Sequence, residues 1–296
     1  MDITGQKFIR AAETDDKRLV VCTQAPGMDI ETQPHTGLVY WSDDEGWCEI
    51  GLANGVTADA TITEDGAQAL VTDPFGLVHV TNGGNAVIDG ITDGAGNAPD
   101  APLRAVRRVG DKVYAVGVER QAYMREKGKW QMISNDDVMT SERPVAFQAI
   151  DGFSDTELYT AGWDGEIWSY DGSNWQQHQS PTNIILNDIA AGPDMCVAVG
   201  LAGQIVTGRG DDWQMIEQDE TEEDFWSVRA FNGAFYLTAL SGIYELKDGE
   251  LEMLRDTDEE MRTVYALTVG PSGLWSVGLQ DIVLFDGNDW RTIGQS

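Results

Sequence analysis

Apolar and polar residues alternate in short runs along most of this chain, and the runs are separated by Gly, Asp-Gly or Gly-Asn pairs. A period of two marks half-buried strands, and Gly- and Asp-rich separators mark hairpin turns. The clearest stretch predicts strands a to d at Phe147–Ile150, Leu158–Ala161, Glu166–Tyr170 and Trp175–His178. The next repeats it at Leu186–Ala191, Cys196–Val199, Gln204–Thr207 and Trp213–Ile216. The same four runs open the chain at Lys7–Ala11, Leu19–Thr23, Leu38–Trp41 and Trp47–Ile50. They close it at Val264–Val269, Leu274–Val277, Ile282–Phe285 and Trp290–Ile293.

The fourth run of each unit carries a recurring phrase, Gly or Asp-Gly followed by Trp, as in Gly128-Lys129-Trp130 and Asp171-Gly172-Ser173-Asn174-Trp175. The Trp slot falls at 47, 86, 130, 175, 213, 251 and 290, with Ala86 and Leu251 in the degenerate copies. The steps are therefore 39, 44, 45, 38, 38 and 39. A period of about 40 residues built from four short strands is the signature of a β-propeller. The fold class expected is all-β: one domain, 1–296, forming a seven-bladed β-propeller of four-stranded antiparallel blades. The blades fall near 1–52, 53–90, 91–134, 135–179, 180–217, 218–255 and 256–296. A Trp recurring at one address is what blade-to-blade packing requires, and the Asp-Gly pairs are turn devices. Unit one starts with strand a and unit seven ends with strand d. Ring closure then rests either on packing between blades or on an extra strand from Met1–Gln6.

Ser169-Tyr170-Asp171-Gly172-Ser173-Asn174-Trp175 and Leu284-Phe285-Asp286-Gly287-Asn288-Asp289-Trp290 resemble shortened Asp-boxes, the bacterial neuraminidase repeat. Val197–Ile205 is similar to propellers of the photosystem-assembly-factor type. The resemblance implies the propeller architecture. Sialidases with this repeat use three Arg, a Tyr–Glu pair and an Asp, and their Phe/Tyr-Arg-Ile-Pro strand has no counterpart here. No residue receives a catalytic role, and the expected protein is not an enzyme.

The charge changes the picture. Fifty acidic residues, 31 of them Asp, stand against nineteen basic ones, only six of them Lys, for a net charge of −31. Such a surface repels nucleic acid and anionic lipid. It suits a basic protein partner, divalent ions or a saline habitat. His35, His79 and His178 lie in different units without ligand spacing, and Asp93-Gly94-Ala95-Gly96-Asn97 lacks the last acidic ligand of a calcium loop, so no metal or cofactor is expected. Cys22, Cys48 and Cys196 do not form a disulfide framework. With no signal-like or membrane-spanning segment, the expected location is the cytoplasm, or a virion if the chain is viral.

In a propeller, d–a and b–c connections open on one face. The long connections Gln24–Thr36, Asp89–Pro102 and Ser134–Ala146 are all of those kinds. Two consecutive d–a connections are acidic: Glu217–Asp224, with Asp219, Glu220, Glu222, Glu223 and Asp224, and Arg255–Arg262, with Asp258, Glu259 and Glu260. They are expected to lie side by side as one negative patch. The b–c tips are apolar at Phe75, Val118, Trp163, Leu201, Leu240 and Leu279, and Trp163 and Phe75 are the contact candidates. Unit three holds eight of the nineteen bases between Arg104 and Lys129. Arg104, Arg107 and Arg108 there either receive an anionic ligand or pair with acidic neighbours. The function expected is a non-enzymatic binding or assembly module that meets a basic protein on its acidic loop face, as a scaffold subunit or toxin-neutralising protein. The alternatives are a tail or capsid subunit of a virus from a saline habitat and an Asp-box-like carbohydrate-binding or glycoside-cleaving protein.

Overall fold

The structure, a computed structural model, describes residues 1–141 and 143–296. Glu142, within the Ser134–Ala146 connection, lies outside the described residues. The chain folds into seven four-stranded antiparallel sheets, each with its strands in sequence order, arranged as a seven-bladed β-propeller. In blade four the strands are Phe147–Ser154, Glu157–Gly162, Ile167–Tyr170 and Trp175–His178, each overlapping its predicted run. The first b–c connection is shorter than its sequence suggests, because strand c starts at His35. His35 and Thr36 are polar yet buried: His35 Nε2 accepts from the Ala25 amide and Thr36 Oγ1 donates to the Gly55 carbonyl.

There are seven separate cores, and each lies between two neighbouring blades. The residue in the Trp slot always packs into the interface with the preceding blade. Trp130 enters the core between blades two and three, Trp213 that between four and five, and Leu251 that between five and six. Trp175, Trp290, Ala86 and Trp47 pack against the edges of the remaining four. Some Trp side chains also bond across the joint. Trp175 Nε1 donates to the Ile133 carbonyl at 3.0 Å and Trp47 Nε1 to the Ile293 carbonyl at 3.2 Å. The recurring phrase is therefore the means by which one blade grips the one before it.

The last of these joints closes the ring, and no strand is shared across it. Met1–Gln6 adds no strand; Ile3 instead joins Phe8, Trp275 and Ile282 in the core between blades seven and one. Glu13, almost fully buried, accepts from Trp275 Nε1 at 2.9 Å and from the Ser272 amide at 3.0 Å. The Phe8 amide donates to the Leu279 carbonyl.

Strand a of each blade faces the central channel, so its outer N–H groups have no ladder partner and need another acceptor. Side chains of the preceding blade's strand a supply several. Asp59 accepts from the Val106 amide, Thr61 from Arg108, Asp151 from Ala191, Asp188 from Val228 and Ser227 from Leu267, at 3.0 to 3.2 Å. These carboxylates also meet arginines: Arg10 with Asp59 at 3.4 Å, Arg229 with Asp188 at 2.6 Å and Arg107 with Asp188 at 3.8 Å. The result is a belt of charged side chains across the channel.

Candidate functional site

The four-strand topology puts all d–a and b–c connections at one end of the ring, called here the upper face. The two acidic connections lie on it as neighbours, and one residue joins them. Ser241, in the b–c turn of blade six, donates its amide to Glu223 Oε2 at 3.1 Å and accepts from the Thr257 amide at 2.9 Å. Gln218 shapes the first loop from within: its Nε2 donates to the Gly203 and Thr221 carbonyls, and its Oε1 accepts from the Glu220 and Thr221 amides. Gly203 holds φ at +67°, and a Cβ there would stand 2.5 Å from the Thr221 carbonyl, so only glycine lets the loop approach this closely.

The acidic side chains divide into two groups. Glu223 and Asp224 are half-buried and accept backbone N–H groups, of Ser241 and Ala202 respectively. Asp219, Glu220 and Glu222 point to solvent, as do Asp258, Glu259 and Glu260. Hydrogen bonds from the Met261 and Glu260 amides hold the Asp258 carboxyl below the usual carboxylate range, and Arg255 lies 3.3 Å from it. Leu240, next to the bridging Ser241, is 68% exposed. An apolar tip thus stands between two rows of carboxylates.

Exposure sorts the other tips. Phe75 is 66% and Leu279 44% exposed, whereas Val118, Leu201 and Trp163 are half-buried. Trp163 opens a short 3-10 turn, Trp163–Gly165, tied down by its amide bond to the Ala146 carbonyl and by an ion pair between Asp164 and Arg143. It sits two blades away from Leu240.

Most bases of blade three are paired within the molecule. Arg120 makes a buried two-pronged bond to Glu166 at 2.6 and 2.8 Å, Lys112 bonds Asp155 at 2.9 Å, and Arg125 bonds Glu64 and faces Asp89. Arg104 and Arg107 instead come together in the upper chamber of the central channel, a cavity of about 510 Å³ whose rim includes Phe75. Arg108 lies with Arg107 on the lower chamber, of about 370 Å³. Arg107 and Arg229 line both chambers and mark the constriction between them. Buried Asp188 would be pushed up by desolvation, but Arg229 and Arg107 outweigh that and hold its carboxyl below the usual range. Asp151 is half-buried, and there desolvation wins over Arg107 and pushes its carboxyl up.

The belt is the arrangement that sequence reasoning missed. A signal exists in the chain: Arg10, Asp59, Arg107, Asp151, Asp188 and Arg229 each place one charge inside a mostly apolar strand a. A second missed cluster joins blades four and five. His178 Nε2 lies 2.7 Å from Ser169 Oγ, and His178 Nδ1 lies 2.8 Å from Asp211 Oδ1. The order matches that of a serine nucleophile relay, but Ser169 sits within strand c, paired on both sides by Tyr159 and Gln176, and lines neither chamber. The cluster ties two blades together. Likewise, Asp171 and Asp286 of the shortened Asp-boxes accept from the amides two and three residues on, as turn-forming aspartates do.

No protein-family model matches the chain. The WD40 β-propeller domain of Doa1 superposes with a TM-score of 0.67 at 12% identity, over 93% of this chain and 90% of that one. YCF48 bound to D1 peptide superposes at 0.58 and 16% identity, over 80% of each. At these identities the likeness defines the fold alone, a seven-bladed propeller of the class that WD40 domains share. The sequence carries the assignment further. Over 274 residues, 88% of each chain, it is 35% identical to the immune protein Tsi7 of Pseudomonas aeruginosa. The chain belongs to the Tsi7 family.

Proposed function

We propose that this protein is a non-enzymatic immunity protein that neutralises a basic protein toxin by binding it on the upper face. The observation that carries the reading is the pair of acidic loops joined through Ser241, with exposed Leu240 between them. Membership of the Tsi7 family supports the immunity role. Six solvent-facing carboxylates on two neighbouring loops attract a cationic surface and speed its approach, and Leu240 supplies apolar contact once water is displaced. Phe75 lies across the channel mouth and extends the same face. Trp163, half-buried and two blades away, belongs to the periphery of the footprint. No step of this function calls for a cofactor, and among the described residues no group of three or more His, Cys, Asp or Glu is placed to hold a metal ion.

The test uses the full chain as bait in its native source. The captured protein is then expressed alone and together with this chain. A basic protein that arrests growth alone, is rescued by co-expression and is released by moderate salt is the expected result. Neutralising the loops with Asp219→Asn, Glu220→Gln, Glu222→Gln, Glu259→Gln and Glu260→Gln should slow association by about tenfold or more at low salt. Association at an unchanged rate would remove the acidic face from the mechanism, and a captured partner without toxicity would remove the immunity role.

A further inference from the structure

We propose that the upper chamber of the central channel is a binding site for a small oxyanion, held by Arg104 and Arg107 against the aromatic wall of Trp226 and Tyr265. In a chain of net charge −31, this chamber has the opposite sign. Arg10, Arg104, Arg107 and Arg229 line it against Asp59 and Asp188, an excess of two positive charges. The lining donors are under-used. Among the described residues Arg104 makes neither an ion pair nor a hydrogen bond, although it is exposed to the chamber. The Arg107 side chain makes no hydrogen bond among the described residues; Asp188 is its one ion-pair partner there, at 3.8 Å, beyond hydrogen-bonding distance. Its Nε is buried and unpartnered, as are Arg229 Nε and Trp226 Nε1.

The energetics favour an incoming anion. A buried donor left without an acceptor is costly, more so when it is charged, and an oxyanion supplies several acceptors at once. Burial and the nearby Arg107 both push the Arg229 guanidinium below its ordinary value, against the opposing pull of Asp188, Asp59 and Asp151, so the two cations repel each other across the belt. The volume of about 510 Å³ lies within the range of small-molecule sites, roughly 300–1,000 Å³. Trp226 and Tyr265 stand 5.6 Å apart with planes tilted by 35°, and Arg10 lies over the Tyr265 ring at 5.1 Å. Carboxylate or phosphate oxygens would meet the guanidinium groups, while a carbon skeleton would lie along the rings.

The proposal does not depend on the toxin-binding reading, because its test uses this chain alone. The folded protein is titrated calorimetrically with citrate and, separately, with inorganic phosphate, at one fixed ionic strength. Saturable one-to-one binding of either probe is expected. Arg104→Gln, which breaks no hydrogen bond or ion pair among the described residues, should weaken it by about tenfold, the loss of a charge-assisted hydrogen bond. Arg107→Gln should weaken it at least as much if the variant folds. Arg291→Gln, on the outer rim beside Asp43, should leave it unchanged. Citrate binding alone would assign a carboxylate ligand, and phosphate binding alone a phosphate. No saturable heat with either probe would overturn the proposal, and so would equal weakening by Arg104→Gln and Arg291→Gln.

Discussion

Asp188 and Asp219 carry the same side chain in opposite surroundings. Asp188 is buried in the channel belt, where it accepts from the Val228 amide, Ser227 Oγ and the Arg229 guanidinium. Asp219 stands in solvent on the upper face. The belt carboxylates accept from backbone N–H groups and lie against arginines, so their energy is already committed to holding blades together. The upper-face charges have few partners in the molecule, and their mutual repulsion is relieved only by something arriving from outside. In a strongly acidic protein, then, the number of carboxylates says little until buried and solvated ones are separated.

The sharpest way to break this contrast is Asp188→Asn. It leaves the partly buried Arg229 and Arg107 without the carboxylate they share, and a loss of about 3–5 kcal/mol in denaturant unfolding is expected. A loss below 1 kcal/mol, the scale of a surface pair, would show that the belt is not structural. The pH dependence has a definite sign. The native Asp188 carboxyl lies below its ordinary value, so its contribution is present above about pH 3.9 and disappears as pH falls through the native pKa. The Asp188→Asn variant should lack that part of the acid limb.

A smaller effect of opposite sign is expected at Asp151. Its native pKa is raised by burial, so the stability it contributes is present below the ordinary aspartate value and declines as pH rises through the native one. The stability of Asp151→Asn relative to the natural chain should therefore improve as pH rises through that window. A difference that stays flat with pH would place Asp151 among ordinary carboxylates. Smallest of all is the effect of Asp219→Asn, Glu220→Gln and Glu222→Gln together. Unfolding free energy should stay within about 0.5 kcal/mol of the natural chain, since these side chains are solvated. A large loss would mean that the acidic loop serves the fold, as the belt does.

The architecture was legible in the chain because one physical demand recurs seven times. Each blade must grip the preceding one, and Trp130, Trp175, Trp213 and Trp290 announce where. The Ala86 and Leu251 copies were readable only from their spacing. The acidic loops were legible from charge density, but their junction was not, since Ser241 offers a backbone amide and carbonyl that no residue type advertises. The belt was missed for a different reason. Alternation along a strand separates one face from the other, yet it cannot tell a face turned to solvent from one turned to a central channel. Nothing in the alternation marks Asp59, Asp151 and Asp188 as facing a channel until the ring closes around them. The first b–c connection looked longer than it is because His35 and Thr36 are polar by type and buried by circumstance.

The joint between blades seven and one is built on the same plan as the other six: the slot residue, here Trp47, reaches backward into an apolar cluster, and no strand crosses it. Apart from Ile3, which the N-terminal segment adds to this one core, the packing does not mark one blade as the beginning. The order in which the blades are read along the polypeptide is therefore a property of the chain rather than of the ring. The succession of neighbours around the circle is what the interfaces specify.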